Sequence, residues 1–503
     1  MYMPTLQTGI STLYMQLYET LKEDLMSDRY PAGTRMPSKR ILSSHLGISV
    51  NTVDSAYQQL VSEGYIEARA RSGYYASDLR SQTSGAVLQS VSVAGRNPEK
   101  KRKDILPNTH ETASLSNPYR QSDAIDFSPN GVDLKALPIA GLKRTFRDVF
   151  SAYGEQLFMN CEPEGDSYLR RSLCTYLRES RGLFCDPSQI IIGAGTDYIL
   201  QLLIQILRSS HEISSIAMEN PVYNKAYQIF TGLQVPVDLI PLDKYGIHMQ
   251  RLYQSRANLV YTTPSHQFPL GIIMPVNRRN ELLTWASESE DRYIIEDDYD
   301  SEFRYSGRPI PPISAMDAAE KVIYLGTFSK SLAPSVRVSY LVLPRELCRA
   351  FHENLSYYNT TITRLDQLVW ARYIETGDFE RHINRMRTLY RRKRDLFLSA
   401  LSPYRKKLHI SGTDAGLHLL CLVKNGMSES ELVASAKNAA TIVYGISSYY
   451  LSDKSGQDSP DDPEKSRASG LSIPQSTVLL GYAGLSNEQV LQGVTSLVQA
   501  WKL

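Results

Sequence analysis

The sequence predicts a mixed architecture: a small α+β head, then a large α/β body built on a mainly parallel sheet. Three observations predict it. Residues 10–79 are dense in helical apolar periodicity, residues 80–123 are polar and short of aromatics, and from residue 124 short apolar runs of strand length alternate with helical stretches. A chain of 503 residues is long enough for two or three domains. With 42% hydrophobic and 21% charged residues it has the composition of a globular protein with a substantial core.

Charge excludes little: 55 Lys+Arg against 53 Asp+Glu leave a net charge of +2, so any nucleic-acid contact must come from a local patch. The five cysteines, Cys161, Cys174, Cys185, Cys348 and Cys421, form no C-x-x-C pair, which favours reduced thiols over a disulfide framework or a zinc site. No basic-then-apolar leader opens the chain, and no apolar run approaches the roughly 18 residues of a membrane span. The expectation is a cytoplasmic protein with no membrane partner and no metal.

In the head, Leu13, Leu17, Leu21 and Leu25 recur every four residues, one stripe of a first helix that stops before Pro31. In "PSKRILSSHLG", Ser38 can cap a second helix that Gly47 ends, with Ile41, Leu42 and Leu46 facing inward. "ISVNTVDSAYQQLVSEG" opens a third with Ser49 as N-cap, and Val53, Ala56, Tyr57 and Leu60 at i, i+3, i+4, i+7 form its buried face. Two helices joined by a tight Gly-containing turn are a helix-turn-helix. "YIEARARSGYYAS" continues as two short strands about Arg71-Ser72-Gly73, a basic wing. In that geometry the start of the third helix enters the major groove of double-stranded DNA. Ser49, Asn51 and Thr52 then lie near bases and phosphates, and Arg40, Arg69 and Arg71 are phosphate partners.

Residues 80–123, with their "KKRK" cluster, read as a linker, because such a composition buries too little apolar surface to offset its ordering entropy. Beyond it, "QIIIGAG", "SIAMEN", "ANLVYTTP", "YIIEDDY", "KVIYLGTFS" and "VSYLVLP" end in small or polar residues, as buried strands do when ligand groups sit at their ends. After about residue 396 a smaller α/β segment follows, interrupted by the polar stretch 452–470, a loop.

"YLGTFSKSLAPSVRVSYLVLP", residues 324–344, sets Lys330 among small and hydroxyl residues with Arg337 seven positions on. Lysine bonds a carbonyl carbon once deprotonated. A cofactor aldehyde such as pyridoxal 5'-phosphate (PLP) needs that lysine, an acid on the pyridine nitrogen, a donor to the ring oxygen and a phosphate cradle. "YIIEDDYDSEFRY" offers Asp297 for the nitrogen and Tyr299 for the ring oxygen. Arg337 can take phosphate, with Thr327 and Ser329 adding hydroxyls. The 33 residues from Asp297 to Lys330 leave room for one helix and a return strand, so both emerge at one sheet edge.

"MPSKRILSSHLGISVNTVDSAYQQLVSEGYIEARARSGYY" resembles the winged helix-turn-helix of the GntR superfamily, with Val50 where many such domains carry arginine. "EDDYDSEFRY", "GTFSKSLAPSVR" and "TTPSHQFPLG" resemble the fold-type I PLP-dependent aminotransferases, most closely the MocR/GabR branch that joins both modules. The resemblance implies a PLP-dependent transferase fold over residues 124–503, with Lys330 as the PLP lysine, Asp297 and Tyr299 as ring partners and Arg337 on the phosphate. It further selects Tyr223 in "AMENPVYNKAY" as an aromatic stacked on the ring or else a core tyrosine, with Lys225 beside the effector. Gly195 and Thr196 in "IIIGAGTDYILQLL" would form the helix start that meets phosphate. His266 and Gln267 either face the ring or stabilise their loop.

One departure stands out. Aminotransferases of this type usually hold the substrate carboxylate with a late-strand arginine, and the matching "STVLLGYAGLS" has Leu479 and Leu480 there. Either the effector is not a typical amino acid, or Arg337, Lys225 or Arg364 serves instead. The function these features imply is a PLP-dependent transcriptional regulator. It would be a homodimer binding a DNA operator and sensing PLP or a small amino compound through an aldimine on Lys330. The alternative is an active aminotransferase that carries a DNA-binding head.

Overall fold

The computed structural model describes residues 13–27, 29–62, 65–69, 72–77, 124–305, 311–451 and 476–503. Arg71 and the stretches 80–123 and 452–470 lie outside the described residues. The chain forms two compact units, Met1–Thr112 and Ala113–Leu503.

In the first unit, helices α1 (Leu13–Met26), α2 (Lys39–Leu46) and α3 (Val50–Ser62) precede the antiparallel strands β1 (Ile66–Arg69) and β2 (Gly73–Ala76). Leu17, Leu21 and Leu25 are buried against Val53, Ala56, Tyr57 and Leu60, as their spacing requires. Ser38 Oγ accepts from Ile41 N at 3.3 Å to cap α2, and Gly47 ends it with φ +65°, a left-handed conformation that glycine adopts without strain. Ser49 Oγ accepts from Thr52 N at 3.0 Å at the start of α3. Ile41 departs from expectation: it is 54% exposed. At about 100° per residue it lies a quarter-turn off the Leu42–Leu46 line, and Ser43 takes the second buried position instead.

The second unit begins with β3 (Ile125–Asp126), α4 (Ile139–Tyr153) and α5 (Ser167–Arg181). A regular alternation follows: β4 (Ile190–Gly193), α6 (Thr196–Ser210), β5 (Ile216–Asn220), α7 (Asn224–Gly232), β6 (Val237–Asp243), β7 (Gly246–Ile247), α8 (Met249–Gln254), β8 (Leu259–Thr262), α9 (Val276–Ser287) and β9 (Tyr293–Asp298). Then come β10 (Val322–Thr327), β11 (Ser339–Val342), α10 (Arg345–Leu355), α11 (Arg364–Glu375) and the long α12 (Asp378–Leu401). The chain closes with β12 (Leu408–Ser411), β13 (His418–Val423), α13 (Glu429–Asn438), β14 (Thr441–Ile442), β15 (Tyr444–Gly445), β16 (Thr477–Gly481) and α14 (Asn487–Ala500).

Among the described residues the large sheet has the order β4-β11-β10-β9-β8-β5-β6-β7. Its central pairs, β10–β9, β9–β8, β8–β5 and β5–β6, are parallel. Strands buried from end to end open as apolar runs because helices cover both faces, and β5 and β9 turn polar only at their carboxyl ends. Two strands break the parallel rule: β7 runs antiparallel to β6 at one edge, and β11 runs antiparallel to both β10 and β4. Only residues 328–338 join it to β10, too few for a crossover helix. Nor does a full helix fill the interval between β9 and β10: among the described residues it holds one 3-10 turn, Ile313–Ala315. Sequence separation sets the reach of a connection but not its secondary structure.

The smaller sheet, β12-β13-β16-β15, packs with α12, α13 and α14 around Phe127, Phe397, Tyr482 and Trp501. β3 pairs with β14, so the start of this unit contributes to the smaller layer. Residue 396 falls inside α12.

Candidate functional site

Register gathers the site. Leu325 of β10 lies opposite Asp297 of β9, while Ser339 of β11 lies opposite both Thr327 and Gly193. The carboxyl ends of β4, β9 and β10 therefore meet at one edge, where open α/β sheets bind ligands. The β10–β11 connection crosses this edge carrying Ser329, Lys330 and Arg337. A cavity of about 240 Å³ opens there, lined by Thr196, Tyr223, Lys225, Asp297, Tyr299, Thr327, Ser329, Lys330 and Arg337 together with Asn130, Asp197, Thr263 and Phe268.

Three adjacent acids end β9, and the two-residue period of a strand divides them. Asp297 faces the cavity, while Glu296 and Asp298 point to the other side. Glu296 accepts from Ile313 N and Ser314 N, each at 2.9 Å. Asp298 pairs with Arg181 at 2.8 Å and accepts from Tyr324 OH at 2.7 Å. Asp297 Oδ2 accepts from Tyr261 OH, and its Oδ1 is buried without a protein partner. Burial pushes the Asp297 carboxyl up to about 7 against the pull of the Tyr261 bond. A buried carboxylate with one oxygen unsatisfied calls for a cationic or donor group in the cavity.

Lys330 Nζ donates to Asn130 Oδ1 at 2.9 Å and to Pro129 O at 3.0 Å. Burial holds its pKa down at about 8, partly opposed by Asp300. A lysine in this state offers an appreciable fraction of free amine near neutral pH. Tyr299 OH donates to His266 O at 2.8 Å and lies 3.0 Å from His266 Nδ1, which also contacts Asp300 at 2.9 Å. His266 and Gln267 stay off the cavity wall. Gln267 bonds Pro221 O, Phe268 O and Leu270 N and so holds its own loop. Tyr223 reaches the cavity, its ring edge-on to Phe268 at 5.8 Å between centroids.

Gly195 caps α6 with φ +85° and ψ 167°, a region open essentially to glycine alone. A Cβ there would overlap the Arg337 guanidinium, so the missing side chain is what admits the arginine to the start of α6. Asp197, in the first turn, binds Lys225 at 2.6 Å and Arg337 at 3.1 Å. Gly195 N is spent on Gly193 O at 2.9 Å, so the start of α6 at Thr196, its dipole and Arg337 are what remain to make a cradle for an anion. Asp197, Tyr261 and Asn130 went unforeseen in the sequence; only Asp197, next to Thr196, carried a signal. Leu479 and Leu480 are both fully buried. Arg364 is engaged by Asp166 at 3.1 Å and Gln156 O at 3.1 Å and does not line the cavity.

In the first unit Arg40, Ser49, Asn51 and Arg69 are exposed and Thr52 half-exposed, with Ser49 just before α3 and Asn51 and Thr52 on its opening turn. Arg69 stacks over the Tyr75 ring at 4.4 Å.

A helix-turn-helix with a wing, in one chain with an aminotransferase-type body, defines a DNA-binding transcriptional regulator on an enzyme fold. Residues 13–75 match the bacterial regulatory proteins of the gntR family, and residues 138–452 match the class I and II aminotransferases. The chain is 38% identical over 492 residues to the uncharacterized HTH-type transcriptional regulator YdeL of Bacillus subtilis, covering 98% of this chain and 97% of that one. It is 30% identical over 498 residues to the probable rhizopine catabolism regulatory protein MocR of Rhizobium meliloti, covering 97% and 94%. Among solved structures, the multiple substrate aminotransferase of Thermococcus profundus superposes with a TM-score of 0.63 at 25% identity, covering 79% of this chain and 96% of that one. The chain belongs to the MocR-type transcriptional regulators, in which a gntR-family head precedes a body with the fold of PLP-dependent aminotransferases. Among its described residues no helix is long and apolar enough to cross a membrane.

Proposed function

We propose that the second unit binds PLP covalently through Lys330 and that PLP, or an amino compound reacting with it, sets the affinity of the head for its operator. The observation that carries this reading is the buried, unpartnered Oδ1 of Asp297 in the same cavity as a lysine of lowered pKa. Together with the cradle that Gly195 leaves open to Arg337, these residues fit PLP. PLP supplies an aldehyde on an electron-withdrawing ring. Lys330 would bond the aldehyde carbon, Asp297 would hold the pyridinium proton, and Tyr299 would orient the ring oxygen. Tyr223 would cover the ring face, with Thr327 and Ser329 completing the phosphate site around Arg337, Gly195 and Thr196. Lys225, at the mouth, would meet the effector.

In the head, Asn51, Ser49 and Thr52 would address the major groove, and Arg40, Arg69 and Arg71 the phosphates. A homodimer would present two heads to paired half-sites. An effector with different affinity for two arrangements of the protein shifts their populations, and DNA affinity with them.

Borohydride trapping followed by peptide mass spectrometry tests the reading. The PLP adduct should sit on Lys330, and Lys330→Ala should lose both the adduct and the visible absorbance. Protein that takes up no PLP at saturating concentration would sink it. Sustained turnover between an amino donor and a keto acid would favour an active aminotransferase instead.

A further inference from the structure

Cys174 and Cys185 are brought together by the way α5 ends. Gly182, at φ +66°, reverses the chain, with Gly182 N bonded to Arg178 O at 3.2 Å and Leu183 N to Leu177 O at 3.2 Å. From Cys174 to the helix end the axis rises roughly 10 Å at about 1.5 Å per residue. Three extended residues beyond Gly182 return about the same distance at roughly 3.3 Å each. Cys185 therefore comes level with Cys174, and the sulfurs lie 3.5 Å apart, the one thiol–thiol contact among the described residues. Both side chains are half-buried, within reach of a small solute. The remaining thiols stand apart: Cys348 and Cys421 are buried, and Cys161 meets Gln367.

We propose that Cys174 and Cys185 form a reversible intramolecular disulfide when the protein meets a hydroperoxide. The chemistry suits the pair. The Cys185 thiol donates a hydrogen bond to Cys174 and so lowers the Cys174 pKa, while Cys185 itself is raised by the same contact and by burial. Cys174 is then the attacking thiolate. Its sulfur takes the terminal peroxide oxygen, the O–O bond breaks, and the alkoxide or hydroxide leaves with a proton as alcohol or water. Cys185 sulfur next attacks the Cys174 sulfenic sulfur and water departs, carrying the Cys185 proton. Two thiols lose two electrons in all, and one peroxide gains them. A dithiol reverses the bond by exchange.

The bond would brace α5 against the segment that leads into β4. That helix ends in Arg181, which holds Asp298 at 2.8 Å and Ser265 at 3.1 Å beside the strand end bearing Asp297.

The test treats full-length protein with hydrogen peroxide or with dithiothreitol, alkylates it, and maps the peptides without reduction. Alkylatable thiols should fall from five to three, with one linked peptide pair joining Cys174 to Cys185, and dithiothreitol should restore all five. Cys185→Ser should leave a Cys174 sulfenic acid that dimedone traps, whereas Cys174→Ser should leave Cys185 unreacted. Loss of Cys161 or the buried thiols at the same rate as the pair would overturn the proposal. So would oxidation of Cys174 straight to sulfinic acid in the wild-type protein with no linked peptide.

Discussion

Replacing Gly195 with alanine should impose two separable costs. The first is conformational: at φ +85° and ψ 167° an alanine is strained by about 1–3 kcal/mol, and this lowers the stability of the protein with or without ligand. The second is local to the cradle. The new Cβ would lie 2.5 Å from Arg337 Cζ and 2.9 Å from its Nε, so the guanidinium must leave the start of α6. Losing a charge-assisted hydrogen bond to phosphate costs about 1.5–3 kcal/mol, equivalent to roughly a ten- to hundredfold weaker PLP affinity. Equilibrium titration by absorbance, with PLP and with pyridoxal in parallel, distinguishes the two. Pyridoxal lacks the phosphate, so its affinity should hardly change while that of PLP falls, and a denaturant melt of the apo-protein reports the strain. A Gly195→Ala protein that binds PLP as tightly as wild type would refute the cradle. Equal losses for both ligands would show that the residue supports the cavity as a whole instead.

Asp297→Asn tests the buried acid. Native apo-protein keeps the Asp297 proton to about pH 7, whereas the unfolded chain releases it near 3.8, so between these values the native state binds more protons and stability falls as pH rises. The variant lacks this slope and should gain on wild type by on the order of 4 kcal/mol at pH 8 and by nothing near pH 3, read from unfolding of apo-protein across pH; parallel profiles would contradict it. For Lys330, held down at about 8, the rate of covalent PLP capture should climb with pH and level off just above that value. A rate still climbing through pH 10 would mean an ordinary solvated lysine. In the head, Arg40→Ala should weaken binding to every duplex alike and reduce the slope of log affinity against log salt by about 0.9. Asn51→Ala should cost about 1–3 kcal/mol on the operator alone, and both variants should still load PLP.

Residues that carry chemistry at strand ends were legible in the sequence. Lys330, Asp297, Tyr299, Arg337, Tyr223 and Lys225 converge on one cavity because the strands before them are apolar runs whose ends fall at one edge. The head was legible for a related reason, since its buried stripe repeats at helical spacing over three short helices. What stayed hidden is the set of partners those residues meet. Asn130 is 200 residues from the lysine it binds, and Tyr261 sits in a strand whose hydroxyl looks like one more aromatic. Ile41 was misplaced because eight residues of helix give too few turns to fix which apolar side chain faces in. Gln267 and His266 could be assigned to their loop only once Pro221, Phe268, Tyr299 and Asp300 were seen around them.

The absent carboxylate anchor gains a physical setting from Asp197. Leu479 and Leu480 are buried in β16, between β13 and β15, and offer nothing to an anion. The cations at the cavity are Lys330, Lys225 and Arg337, and the last two share Asp197. An anion arriving at Arg337 competes with that carboxylate, whose charge would then stand beside the incoming one unless a second cation offset it. Lys225 supplies the neutralising charge, so a phosphate can be seated on Arg337 while Asp197 turns wholly to Lys225. A second anion, such as the carboxylate of an amino acid, would have to draw Lys225 away as well and leave Asp197 uncompensated. On the proposed reading, the pairing therefore suits one anionic group in the cavity better than two. On that same proposal, amines without a carboxylate would rank ahead of α-amino acids as ligands for this site.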